Sequence, residues 1–249
     1  MYRGHRVSLV LPCYNEEAGL QQLLQDLPEV VDEVVVVDNN SRDRTADVAR
    51  SYGAVVVHER RQGYGAAHRA GLRRASGDYI VAMDGDGTYP LQAIAPILAV
   101  MHERELDFVS CDRGGYPIHG ADGLMRHLGN RLLAIVQRAL FAIPVRDSQS
   151  GMWILRRAIL PLLTLASDGM AFSEEIKIEA FTHPDIAAAE LPIGYRPRHG
   201  RSNLRLWEDG LRNLLFLFAK RVTLRRARRR VEAAAAAAGR PLLEGPKEE

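Results

Sequence analysis

Tyr79-Ile80-Val81-Ala82-Met83-Asp84-Gly85-Asp86-Gly87-Thr88 decides the fold, because five apolar or small residues run straight into two carboxylates separated by one glycine. The run has the length and composition of a buried strand, and the acids stand where that strand leaves the sheet. In open α/β sheets this edge is where ligands bind. Carboxylates two residues apart can share one hard cation, Mg2+ or Mn2+, which would link Asp84 and Asp86 to a diphosphate. The neighbouring glycines allow such a group to come close. Taken alone, the motif is equally consistent with a solvated Asp-Gly turn.

Working outward, β-branched runs alternate with helix-period segments through the first half of the chain. Val7 to Leu11, Val34 to Val37 and Ala54 to Val57 join Tyr79 to Met83 as predicted strands. Helical patterns cover Glu16 to Leu27, Asp43 to Ser51, Gly65 to Ala75 and Leu91 to Glu103, so each strand returns to a parallel neighbour through a helix. The expected class is α/β, with a Rossmann-like, mostly parallel central sheet flanked by helices. A further strand is predicted at Phe108 to Ser110. The second half is less periodic, with helices expected at Leu124 to Phe141, Arg157 to Leu165, Ser173 to Thr182 and Leu204 to Val231, and a strand near Ala189 to Ile193. Residues 1–220 are expected to form one catalytic domain, and 221–249 a basic helix extension with a disordered tail.

Two more strand ends carry polar clusters, Pro12-Cys13-Tyr14-Asn15-Glu16-Glu17 and Asp38-Asn39-Asn40-Ser41. Tyr14 can stack on a base, Glu16 and Asp38 can accept hydrogen bonds from base or ribose, and Asn40 can serve there too or cap the next helix. Ser41 is assigned the capping role. The net charge of +2 hides a cationic run from Lys220 to Arg230. Cys13 and Cys111 are the only cysteines, which argues against a disulfide framework and for a reducing compartment. No apolar run reaches the roughly 20 residues of a membrane span, and no signal peptide is visible, so a soluble or peripheral protein is expected.

The stretches LPCYNEEAGL, VVVVDNNSRDRTADVA, RQGYGAAHRAGLRRASGDYIVAMDGDGTYP, DSQSGMWILRR and ELPIGYRPRHGRSNL, in this order, make residues 7 to 220 resemble a family 2 glycosyltransferase of the A-type fold. The resemblance is to polyprenyl-phosphate and dolichyl-phosphate mannose or glucose synthases. It implies that Pro12, Tyr14, Asn15, Glu16, Asp38 and Asn40 hold the nucleoside of a nucleotide sugar, GDP-mannose or UDP-glucose. Gly65 would open the helix start between them, and Asp84 and Asp86 would bind metal and diphosphate. Asp147 to Gly151 would lie on the acceptor side, and Arg198 to Asn203 would form a basic loop that contacts phosphate, although Asn203 stands where the family usually has lysine.

A lipid phosphate is already largely ionised at neutral pH, its second pKa being about 6, so such an acceptor needs cations more than a base. Asp86, Arg113, Arg126, Asp147 and Arg198 are the catalytic candidates, and Arg126, Arg131, Arg198, Arg201 and Ser202 the acceptor-phosphate candidates. A soluble hydroxyl acceptor is the alternative; it would need Asp147, Glu174 or Glu175 as base. Trp207, Leu211, Leu214, Leu215, Phe218 and Val222 fall on one helical stripe ahead of the arginine run. They suit an interfacial helix on the cytoplasmic face of a membrane or, equally, a helix packed on the core. Nucleic acid is not expected as a partner, because the run lacks interleaved aromatic residues. Oligomeric state has no sequence signature here.

Overall fold

The computed structural model describes residues 1–114, 120–195 and 206–237. Arg198, Arg201, Ser202 and the tail beyond Ala237 lie outside the described residues. Among the described residues seven strands form one sheet: β1 (Val7–Cys13), β2 (Glu33–Asp38), β3 (Val55–His58), β4 (Tyr79–Ala82), β5 (Phe108–Asp112), β6 (Trp153–Arg156) and β7 (Ala188–Pro192). Their spatial order is β3-β2-β1-β4-β6-β5-β7. All pairings are parallel except those of β6, which runs antiparallel to β4 and to β5.

The crossover helices are α1 (Glu17–Gln25), α2 (Thr45–Ser51), α3 (Tyr64–Arg74) and α4 (Ile94–Glu103), followed by α5 (Gly120–Phe141), α6 (Phe172–Thr182) and α7 (Leu206–Ala237). Strand alternation sorts the core into two layers. Leu9, Leu11, Val36, Val81, Met83, Val109 and Ile154 face α1 and α4, whereas Val10, Val35, Val37, Ile80, Phe108, Trp153 and Leu155 face α3 and α6. Each such large side chain, fully withdrawn from water, contributes about 1.5–3 kcal/mol. A third cluster, with Leu133, Phe141, Ile178 and Leu217 at its centre, joins α5, α6 and α7.

Two local expectations are corrected. The α-helix expected from Arg157 is a 3-10 turn, Arg157–Leu162, with Pro161 inside it; proline has no N–H to donate and its ring opposes an α-helix. The residues just before it form β6, which the pattern did not reveal. α5 brings the chain back to the edge where the parallel strands end, so β6 enters the sheet from that edge and runs backwards. Ser41 does not cap α2, which begins at Thr45; its hydroxyl instead accepts the Asn15 amide at 3.0 Å, while Asp43 Oδ1 accepts the Thr45 amide at 3.0 Å. α7 continues without a break across position 220.

Candidate active site

The C-terminal ends of the parallel strands and the N-terminal end of β6 share one edge, and the predicted site residues gather there. β1 delivers Pro12 and the half-buried Tyr14; β2 delivers Asp38 and β4 delivers Asp84. The convergence of acids is felt by Cys13: burial raises its thiol pKa, and the charges of Glu16, Asp38, Asp86 and Asp84 raise it further. Cys13 is thus an inert thiol in a strongly negative corner.

Backbone contacts hold the first two clusters in shape. Asp38 Oδ1 accepts the Ser41 amide at 3.0 Å and its Oδ2 meets His58 Nδ1 at 3.0 Å. Asn15 accepts the Arg42 amide through Oδ1, and Asn40 donates to the Arg60 carbonyl and to Gln62. Both asparagines have positive φ, 57° and 66°, a conformation that asparagine tolerates better than most residues. Gly65 sits in the first turn of α3 with no room for a side chain, because an added Cβ would collide with the Ser167 carbonyl. Packing of α3 on the 167–172 segment therefore accounts for this glycine.

Asp86 is buried, and its Oδ1 accepts the Thr88 amide at 3.1 Å and the Thr88 hydroxyl at 2.7 Å. Asp84 lies beside the 147–151 loop. A Cβ added to Gly151 would stand 2.9 Å from both Asp84 carboxylate oxygens and 2.5 Å from the Tyr64 hydroxyl. The Gly151 amide donates to the Tyr89 hydroxyl at 2.7 Å. Desolvation raises the pKa of both phenols, and the Asp84 charge adds to it. Both therefore stay protonated next to Asp84.

The β5–β7 side of the edge is built from buried ion pairs. Arg113, just past β5, grips Asp147 with Nε at 2.6 Å from Oδ2 and Nη2 at 2.8 Å from Oδ1. Asn130 of α5 adds a third bond to Oδ1 at 2.9 Å. Burial alone would raise the Asp147 pKa, yet the Arg113 charge and hydrogen bonds, with Lys177, hold it well below the usual carboxylate range. Lys177 is fully buried and donates to the Asp147 and Ser148 carbonyls at 2.7 and 2.9 Å; burial lowers its pKa to about 8. Glu174, equally buried, accepts from the Ser148 hydroxyl and the Gln149 amide, and burial lifts its pKa to about 8. Glu175 accepts the Ala166 and Ser167 amides and pairs with Lys220 at 3.3 Å.

Arg126 lies one turn before Asn130 on the same face of α5 and is half-exposed, whereas Arg131 is exposed on the outer side. Tyr64, Tyr89, Lys177 and Asn130 were missed by sequence reasoning. The one signal for Lys177 and Glu174 was α6 itself, Phe-Ser-Glu-Glu-Ile-Lys-Ile-Glu-Ala-Phe-Thr, whose charged positions leave no apolar stripe wide enough for a surface helix.

Among the described residues no group of three or more His, Cys, Asp or Glu side chains is arranged to hold a metal ion. The donor set at the edge nonetheless fits a hard divalent cation: Asp84 and Asp86 offer carboxylate oxygens, and Gly151 keeps the space beside Asp84 free of a side chain. Mg2+ is commonly held by one or two carboxylates with substrate phosphates completing its shell.

A strand-end edge that gathers carboxylates is where open α/β folds bind their ligands. The chain belongs to glycosyl transferase family 2, whose family model matches residues 8–162. It is 32% identical over 218 residues to the low-salt glycan biosynthesis hexosyltransferase Agl6 of Haloferax volcanii, covering 85% of this chain but about half, 52%, of that protein. It is also 32% identical over 214 residues to a dolichyl-phosphate hexose transferase of the same organism, covering 84% of this chain and 91% of that one. Among solved structures it is similar to glucosyl-3-phosphoglycerate synthase of Mycobacterium tuberculosis, crystallised with Mn2+, UDP and glucosyl-3-phosphoglycerate. There the TM-score is 0.71 at 26% identity, covering 88% of this chain and 80% of that one.

Proposed function

We propose that the protein transfers a hexose from a nucleotide sugar, GDP-mannose or UDP-glucose, to a polyprenyl or dolichyl phosphate at the cytoplasmic face of a membrane, with inversion at the sugar carbon. Tyr14, Glu16 and Asp38 receive the nucleoside, with Pro12, Asn15 and Asn40 shaping the loops around it. Asp84 and Asp86 would hold Mg2+ or Mn2+, which when bound neutralises charge that develops on the departing diphosphate. The names of the similar hexose transferases and the metal and UDP in the solved structure support this assignment.

The observation that carries the choice of acceptor is the state of the three candidate bases. Asp147 is locked to Arg113 and ionised far below neutrality, Glu175 is tied to Lys220 and two amides, and Glu174 is buried against Ser148 and Gln149. A hydroxyl acceptor would need one of them to take its proton. A phosphate acceptor arrives charged and needs cations, which Arg126 and the arginines of the 198–201 segment would provide. Arg113 acts through Asp147, keeping the 147–151 loop against Asp84.

A soluble acceptor is the second proposal, favoured by the likeness to glucosyl-3-phosphoglycerate synthase. Radiolabelled GDP-mannose and UDP-glucose, incubated with polyprenyl phosphate in detergent with Mn2+ or with chelator, separate the two. Label is expected in the organic phase and only with the metal. Label confined to a water-soluble product, or no lipid labelling with any donor, would overturn the lipid assignment.

A further inference from the structure

Twelve large hydrophobic side chains are exposed among the described residues, and nine of them sit on just two helices, five on α5 and four on α7. On α5 they are Leu124, Met125, Leu128, Leu132 and Ile135, one continuous stripe at helical spacing. On α7 they are Leu211, Leu215, Phe218 and Val222. Their exposures lie between 40% and 60%, so each keeps much of its surface in contact with solvent. The two helices pack on one another through their inner faces, where Leu133, Val136 and Leu140 meet Leu214, Leu217 and Leu224. Contiguous apolar surface of this kind marks an interaction site.

Charge decides between occupants. No aspartate or glutamate occurs from residue 123 to 146 or from 210 to 230. Arg131 and Arg138, two turns apart, follow one edge of the α5 stripe, and Arg212, Arg225 and Arg226 are exposed around that of α7. A second copy of the chain would bring these arginines against each other, whereas anionic head groups would complement them.

We propose that the outer faces of α5 and α7 together form a docking surface for an anionic lipid bilayer, lying in the interface rather than crossing it. No helix among the described residues is long and apolar enough to span a membrane. The inner faces of the same helices hold the acceptor loop: Asn130 of α5 bonds Asp147, and Asn213 of α7 donates to Gln149 at 2.9 Å. Docking by the outer faces brings the 147–151 loop to head-group level. The surface deepens the lipid-acceptor assignment and rests on it only for its purpose; the binding itself is independent of it.

The test is flotation of the full chain with vesicles of phosphatidylcholine mixed with phosphatidylglycerol, and with phosphatidylcholine alone. Binding is expected to the anionic vesicles and to weaken with added salt. The combined variant Leu128→Gln, Leu132→Gln and Leu215→Gln, all exposed positions, should weaken it about tenfold or more. Its melting temperature and its turnover of detergent-dispersed acceptor should stay unchanged. Equal flotation of variant and native protein, or no flotation of either, would overturn the docking surface. So would sedimentation showing a native dimer that the variant converts to monomer, which would assign the face to a second copy. Flotation without any lipid labelling would leave the surface standing and remove the lipid acceptor.

Discussion

On the β1–β4 side of the sheet edge, polar side chains are positioned by main-chain groups a few residues to a few tens of residues away: Asp38 by the Ser41 amide, Asn15 by Arg42, Asn39 by the Glu59 and Arg61 carbonyls. On the β5–β7 side the framework consists of buried charges facing one another across the fold, Arg113 with Asp147 and Lys220 with Glu175 and Glu179. On the first side Asp84 stays half-exposed; the second uses its charges on itself. A buried ion pair adds little net stability but is costly to break from one side. The β5–β7 side is therefore where single substitutions should unfold the protein, and the β1–β4 side is where they should stop its chemistry.

Arg113→Ala is the sharpest way to test that contrast. It strands Asp147 in a dry environment and should cost about 3–5 kcal/mol in denaturant unfolding. A loss below about 1 kcal/mol would mean that water reaches the pair, and the contrast would fall. Next comes Asp86→Asn. The amide oxygen can still accept from the Thr88 amide and hydroxyl, so the turn is preserved and only the charge is lost. Transfer should drop on the order of 10²–10³-fold with unfolding unchanged. Normal turnover by this variant would remove Asp86 from the site.

The same contrast explains what could be read from the sequence. β1 to β4 and their helices were legible because each is a local pattern, apolar alternation followed by a helical period, and the acids follow directly from where the strands stop. β6 was not, since its direction is set by where α5 returns the chain. Arg113 and Asp147 were both singled out, but as separate catalytic groups; their pairing spans 34 residues and has no local trace. Tyr64 and Tyr89 were passed over for the same reason, as only the fold brings them to Asp84 and Gly151. The α7 stripe was legible as amphipathic, yet its division into an inner face that packs and an outer face that does not required α5 beside it.

Gly151 is where the two halves touch, and Gly151→Ala probes the join. Its added methyl group meets the Asp84 carboxylate, which can swing away, and the Tyr64 hydroxyl, whose rigid ring packs on His68 and has to shift, so a stability loss of about 1–2 kcal/mol is expected. The displaced carboxylate is expected to reduce turnover by up to about 10²-fold, the scale of a misplacement near 1 Å. Added Mn2+ should recover part of the loss if the defect lies in metal affinity, visible as a shift in the half-saturating concentration. An unchanged rate would show that Asp84 tolerates movement and weaken the link between halves.

The smallest effect concerns pH and again separates the two sides. Glu174 has its pKa raised from 4.5 to about 8 by burial. Below 4.5 folded and unfolded chains both carry the proton. Between 4.5 and 8 the unfolded chain releases it and the folded one keeps it, so stability falls as pH rises through that window, by at most about 1.4 kcal/mol per unit. Lys177 acts in a different window: its pKa is lowered from 10.5 to about 8, so stability rises as pH climbs between those values. Glu174→Gln keeps the shape and the bonds from Ser148 and Gln149 but cannot ionise. Relative to the native protein it should gain stability on going from the acid end of the window to pH 8, as read from urea midpoints. Parallel curves for the two proteins would show that water or a closer cation reaches Glu174 and that the β5–β7 side is less dry than its packing implies.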